Sequence, residues 1–218
     1  MDPLRGCLAL GPLGLYLLTL AILNLRRRPT LITGARDTTA LAIGLAGFVL
    51  VGPIELLLPQ RALNLFAAAA WLAALACYGL TVCLVILFSR RRLVIYNLPP
   101  ATGRALLLDA IDRLDPQASL AGSTVASPAL GIELRIVEAP WLCNVSLVAQ
   151  GDDGDAAGWQ RLETLLAAQL RDYKAGPNFC GTWLLSASVA MLAWVTWQLV
   201  TRPDAIQRGF WEMLRIYG

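Results

Sequence analysis

The sequence contains no histidine. That removes the commonest metal ligand, the usual general base and the one side chain that ordinarily titrates near neutral pH. Lysine is almost as scarce, with Lys174 the only one, and no Ser-x-x-Lys arrangement offers a substitute base. The five cysteines, Cys7, Cys77, Cys83, Cys143 and Cys180, are odd in number and scattered, with no Cys-x-x-Cys pair. They signal neither a zinc site nor a disulfide framework, and most of them read as small buried hydrophobes. Charge is also thin: 15% of the 218 residues are charged and 57% are hydrophobic, too apolar a balance for an ordinary soluble domain. The net charge of +3 does not point to nucleic acid. Its arginines sit at the ends of apolar runs, and no basic face or aromatic stacking platform accompanies them. No cofactor-binding motif is legible, and catalysis is not signalled.

Long apolar runs are what the chain does have. Residues 62–88 carry no charge and end at Ser89-Arg90-Arg91-Arg92, which is longer than the roughly 20 residues needed to cross a bilayer. Comparable runs occupy 6–25, 39–58 and 179–201. The fold class expected is therefore a membrane protein with four transmembrane helices. Arg26, Arg27 and Arg28 close the first run, and Arg36 lies in the polar connection at 29–38. With Arg90, Arg91 and Arg92 they form the basic side, against only Arg5, Arg61 and Arg202 at the opposite junctions. These arginines are the topology anchors, and they predict both termini outside and residues 93–178 in the cytoplasm. Because basic residues follow the first run and no small-residue cleavage site does, a retained helix is expected there in place of a cleaved signal.

Between residues 93 and 178 the continuous apolarity gives way to short periodic pieces. Residues 93–96 are β-rich and are closed by Pro99-Pro100. Residues 102–115 place Leu107, Ala110, Ile111 and Leu114 on one helical face. Strands are expected at 120–126, 132–136 and 144–149, and a second amphipathic helix at 159–173. The order β-α-β-β-β-α describes a small inserted α+β domain. It is acidic, with ten acidic side chains against six basic ones. Residues 202–218 complete the chain as an amphipathic helix suited to an interface. The domain organisation is thus 1–92, 93–178, 179–201 and 202–218.

Four features bear on chemistry. Gly52-Pro53 breaks the second run two residues before Glu55, the only carboxylate in the membrane runs. It either contributes to an ion or proton route or snorkels outward to pair with Arg61. Asp152, Asp153 and Asp155 form a weak divalent-metal candidate, set against an exposed acidic turn that complements the positive end of the next helix. Thr102, Gly103 and Arg104 open a helix where an anion can bind, against an ordinary cap. Asn144-Val145-Ser146 matches a glycosylation sequon, in a segment expected to stay in the cytoplasm.

These readings lead to an expected non-catalytic membrane subunit or scaffold, embedded in the lipid bilayer and presenting its α+β domain to a protein partner or to further copies of itself. The alternative is a small oligomeric transport or channel component that uses Glu55.

Overall fold

A run of β-branched and aliphatic residues, Arg92–Tyr96, forms the strand around which a six-stranded sheet is assembled. The computed structural model describes all residues except 1–2, 55–59, 140–142, 151–154, 177 and 215–218, and gives side chains except at 53–54, 60–70 and 212–214 as well. In chain order the elements are α1 (Pro3–Leu25), β1 (Thr30–Thr33), α2 (Gly34–Val49) continuing into a π-helical segment (Leu50–Ile54), and α3 (Gln60–Phe88). There follow β2 (Arg92–Tyr96), α4 (Pro100–Leu114), β3 (Ser119–Ala121), β4 (Thr124–Ser127), β5 (Ile132–Ala139) and β6 (Asn144–Ala149). The chain closes with α5 (Ala156–Asp172), α6 (Phe179–Thr201) and α7 (Pro203–Leu214). The protein is therefore mixed: helices, four of them long and apolar enough to cross a membrane among the described residues, together with one antiparallel sheet.

The chain divides into two units. The first comprises Met1–Thr19, Thr39–Phe88 and Leu184–Gly218. In it α1 lies between α2 and α6. Ser188 donates to the Gly14 carbonyl at 2.9 Å, and Tyr78 of α3 donates to the Ala42 carbonyl of α2 at 2.7 Å. Gly44 and Gly47 of α2 face α1. A Cβ on Gly44 would come within 2.7 Å of the Tyr16 side chain, and one on Gly47 would collide with the Leu8 carbonyl oxygen. Small residues thus let the α1 and α2 backbones approach closely. The outer surfaces of these helices are apolar: Leu72, Leu80, Leu87 and Phe88 on α3 and Trp197 and Val200 on α6 are exposed.

The second unit comprises Leu20–Thr38 and Ser89–Trp183. Its sheet runs β1-β2-β6-β5-β4-β3, with every pairing antiparallel. Strand alternation puts Leu93, Leu134, Ile136, Val145 and Leu147 on one face, where they pack against Leu107, Ala110 and Ile111 of α4 and Leu162 and Leu166 of α5, while Ile95 packs with Leu98 and Leu170 in a smaller cluster. Each fully buried large apolar side chain there stabilises the unit by about 1.5–3 kcal/mol. The opposite face carries Glu133 and Arg135, which are exposed.

The sheet departs from the sequence reading in two places. Residues 29–38, expected to be a polar connection, supply edge strand β1 and the first turn of α2. The run Thr30-Leu31-Ile32-Thr33 is too short to register as a strand alone and acquires its hydrogen bonds only from β2. The single strand expected over 120–126 is a hairpin, β3 and β4, turned at Gly122, whose φ of 64° suits glycine. The order β-α-β-β-β-α is therefore corrected to β-β-α-β-β-β-β-α. Helix α4 starts at Pro100, earlier than expected, because proline is favoured in the first helical turn.

Candidate functional site

The densest polar chemistry in the second unit gathers where segment 20–38 meets the sheet. Antiparallel register sets Thr33 opposite Leu93 and Thr30 opposite Tyr96. Immediately after Thr33 the chain turns into α2 at Gly34, where a Cβ would lie 2.9 Å from the Arg92 Cβ. That tight passage brings Asp37, in the first turn of α2, over β2. Arg92 and Tyr96 are four residues apart on one strand, so both project to the face opposite the core. They converge on this carboxylate. Arg92 Nη2 donates to Asp37 Oδ2 at 2.7 Å and lies 3.4 Å from Thr38 Oγ1. The Tyr96 hydroxyl donates to Asp37 Oδ1 at 2.5 Å. Both carboxylate oxygens are thereby engaged, one by a guanidinium and one by a phenol, and the carboxylate also sits where negative charge complements the helix dipole. Such an arrangement fixes the orientation of all three side chains.

A second set of polar contacts uses uncharged amides. Asn24, Asn97, Asn144 and Asn178 are all buried. Asn97 has a positive φ of 58°, a conformation asparagine tolerates better than most residues. Its Nδ2 donates to the Arg26 carbonyl at 2.6 Å, and its backbone N–H donates to Asn144 Oδ1 at 3.3 Å. Asn178 Nδ2 donates to Asn24 Oδ1 at 3.3 Å, while Asn178 Oδ1 accepts from the Cys180 N–H at 3.0 Å and so caps α6. The Ala175 N–H donates to the Arg27 carbonyl at 2.8 Å. The carbonyls of Arg26 and Arg27, just past the C-terminal end of α1, are thus satisfied by Asn97 and by the Ala175 N–H. Segment 20–38, the exit of β2, the entry of β6 and the start of α6 are bonded into one body.

A third polar centre stands at the end of α4. Asp115 is buried and accepts from Ser127 Oγ at 2.7 Å, from the Ala129 N–H at 2.9 Å and from the Gln117 N–H at 3.0 Å. Ser127, followed by the backbone donors, holds its carboxyl below the usual carboxylate range, against the opposing effect of burial. Sequence reasoning treated Asp115 only as the last residue of a helix. Its one legible signal was the Pro116 that follows.

The residues singled out from sequence fall as follows. Arg26, Arg27, Arg28, Arg90 and Arg91 are exposed, whereas Arg92 is committed to Asp37. Pro53 belongs to the π-helical segment, and Glu55 lies outside the described residues. Asp152 and Asp153 also lie outside them. Asp155 is the N-cap of α5, its Oδ1 accepting from the Ala157 N–H at 3.0 Å. Among the described residues no three His, Cys, Asp or Glu side chains converge. Thr102 is not the cap of α4; the N-cap is Pro99, which makes no side-chain bond. Arg104 Nη2 instead donates to the Gly122 carbonyl at 2.6 Å and ties the helix to the β3–β4 turn. Asn144 of the sequon is buried in β6 with its amide oxygen engaged by Asn97.

Comparison with protein-family models, with curated proteins and with solved structures gave no match.

Proposed function

We propose that the chain is a non-catalytic membrane subunit whose four long apolar helices anchor the α+β unit in the cytoplasm, where it docks a protein partner. The apolar outer surfaces of α3 and α6 support insertion in lipid, since exposed Leu, Phe and Trp side chains on this scale are costly in water. The arginines that follow α1 and α3 support the orientation, by the excess of positive charge on cytoplasmic loops.

The observation that carries the docking role is the free outer edge of the sheet. Among the described residues strand β3 pairs only with β4, all three of its residues are exposed, and Leu120 stands out at 46% relative exposure. Beside it runs a hollow between α4 and β3 lined by Leu108, Ile111, Leu120 and Val125, with Asp109 and Asp112 at its rim. An unpaired strand edge next to an apolar hollow suits addition of an extended segment from a partner, main-chain bonds giving affinity and the hollow giving selectivity. Purification in mild detergent is the test. A partner that co-purifies with the parent chain and is lost on Leu120→Pro is expected; a lone monomer in both cases would sink the proposal.

A second reading, a small oligomeric transport component, has one feature in its favour. The π-helical segment Leu50–Ile54 ends one residue before Glu55, and π-helical turns recur at functional sites. Reconstituted protein that conducts ions or protons, and stops doing so on Glu55→Gln, would support this reading over the first. Flux that is absent from the parent chain removes it.

A further inference from the structure

Segments 20–38 and 89–92 of the second unit hold seven arginines against a single carboxylate, Asp37. That carboxylate is already consumed by Arg92 and Tyr96. The other six, Arg26, Arg27, Arg28, Arg36, Arg90 and Arg91, are exposed, and none makes an ion pair among the described residues. Like charges adjacent in the chain, as in Arg26–Arg28 and Arg90–Arg91, repel one another where no counterion is near, and so favour an incoming anion.

The main chain beneath these side chains is fixed. The Arg26 carbonyl accepts from Asn97, the Arg27 carbonyl from Ala175, and the Arg91 carbonyl from the Ala149 N–H at 2.9 Å. Arg36 follows Gly34, which is wedged against Arg92. The guanidiniums therefore project from a preorganised base, which lowers the ordering cost of holding an anion. They occupy two places: Arg26–Arg28 directly after α1, and Arg36, Arg90 and Arg91 around the far end of the β1–β2 pair, where Thr33 faces Leu93. Elsewhere the α+β stretch is acidic, so the basic character is confined to the chain that adjoins the apolar helices.

We infer that these six arginines form a phosphate-binding collar that takes the headgroups of anionic lipids from the surrounding bilayer. Guanidinium groups match phosphate oxygens in geometry as well as charge. Basic residues immediately beyond a membrane helix are drawn to an anionic surface, and the Asn97 bond to the Arg26 carbonyl fixes the chain that carries the first of them. The inference rests on the membrane reading above.

The test uses the full chain in lipid nanodiscs of neutral phosphatidylcholine, with and without anionic phosphatidylglycerol, reading the thermal midpoint and the lipid retained in native mass spectrometry. A higher midpoint and selective retention of the anionic lipid are expected. Replacing Arg36, Arg90 and Arg91 together by Gln, or Arg26, Arg27 and Arg28 together by Gln, should lower that retention by roughly tenfold or more. The same triples replaced by Lys keep the charge and the orientation, and should preserve most of the gain. Equal behaviour in the two lipids overturns the inference, as does a Lys triple that loses the gain as fully as the Gln triple, which marks damage to the fold. Inorganic phosphate added in detergent gives no comparable gain if the ligand is a lipid; an equal gain would transfer the site to free phosphate and overturn the lipid assignment. A chain that fails to enter nanodiscs of either composition instead defeats the membrane reading itself.

Discussion

Asp37 and Arg92 stand 55 positions apart in sequence and meet at 2.7 Å. One lies in the first turn of α2, which follows strand β1, and the other begins the strand that follows α3. Their contact, shared with Tyr96, binds the start of α2 to the sheet face that the core helices leave uncovered.

Asp37→Asn should therefore loosen this corner. Arg92 would lose its counter-charge and Tyr96 a charged acceptor, while the shape stays the same. The side chains are 37% and 19% exposed, so water screens the pair and the expected loss is modest, about 1 kcal/mol. Thermal melts in detergent should show it. Tyr96→Phe combined with Asp37→Asn should cost less than the two single losses added, because both act on one carboxylate.

Asn178 offers a sharper test of the amide network. Asn178→Asp keeps the oxygen that caps α6 but replaces the donor facing Asn24 Oδ1 with an acceptor. Asn178→Ala removes both. A buried acceptor left without its donor costs about 1–3 kcal/mol, so both variants should melt lower than the parent chain. Asn24→Leu in the Asn178→Asp background should recover part of the loss, since the opposed acceptor is gone.

Asp115 predicts a pH dependence. Its carboxyl titrates lower in the folded chain than in the unfolded one, with Ser127 the main cause. The stabilisation it provides is therefore fully present above the unfolded value of about 3.9 and disappears as pH falls through the folded value. Asp115→Asn should melt below the parent at neutral pH. The gap between the two should narrow as melts are taken at progressively lower pH through and below that range.

Gly47 tests the close approach of α1 and α2. Gly47→Ile drives a side chain into the Leu8 backbone and should cost about 1–3 kcal/mol or more. Gly79→Ala is the control, for a Cβ there meets nothing within 4 Å, and helix propensity alone should leave stability unchanged or slightly improved. Equal melting of the two variants would refute the contact.

Orientation can be read by labelling. The five cysteines are free thiols; with all replaced, a single Leu120→Cys should react with an impermeant thiol reagent only when the cytoplasmic face is open to it.

The long apolar runs and their arginine stops were legible because the feature that makes a helix able to cross a membrane is its own composition, which needs no partner. Helices α4 and α5 were legible for a related reason: their buried faces repeat at the helical period whatever they pack against. Strand β1 was not legible. Four residues carry too little pattern, and their hydrogen bonds exist only because Arg92–Tyr96 lies alongside. The hairpin at Gly122 was hidden inside one apolar stretch, since a single positive φ splits it.

The sequence by itself determined that this chain has four long apolar helices, an inserted α+β stretch and a basic band between them, since length, period and charge are local properties. Only the tertiary structure decided that residues 30–33 join the sheet and that Asp37 pairs with Arg92. It alone paired Asn97 with Asn144 and Asn24 with Asn178. Those outcomes depend on distances between residues far apart in the chain, and a hydrogen bond is set by where its two atoms come to rest, which no local pattern encodes.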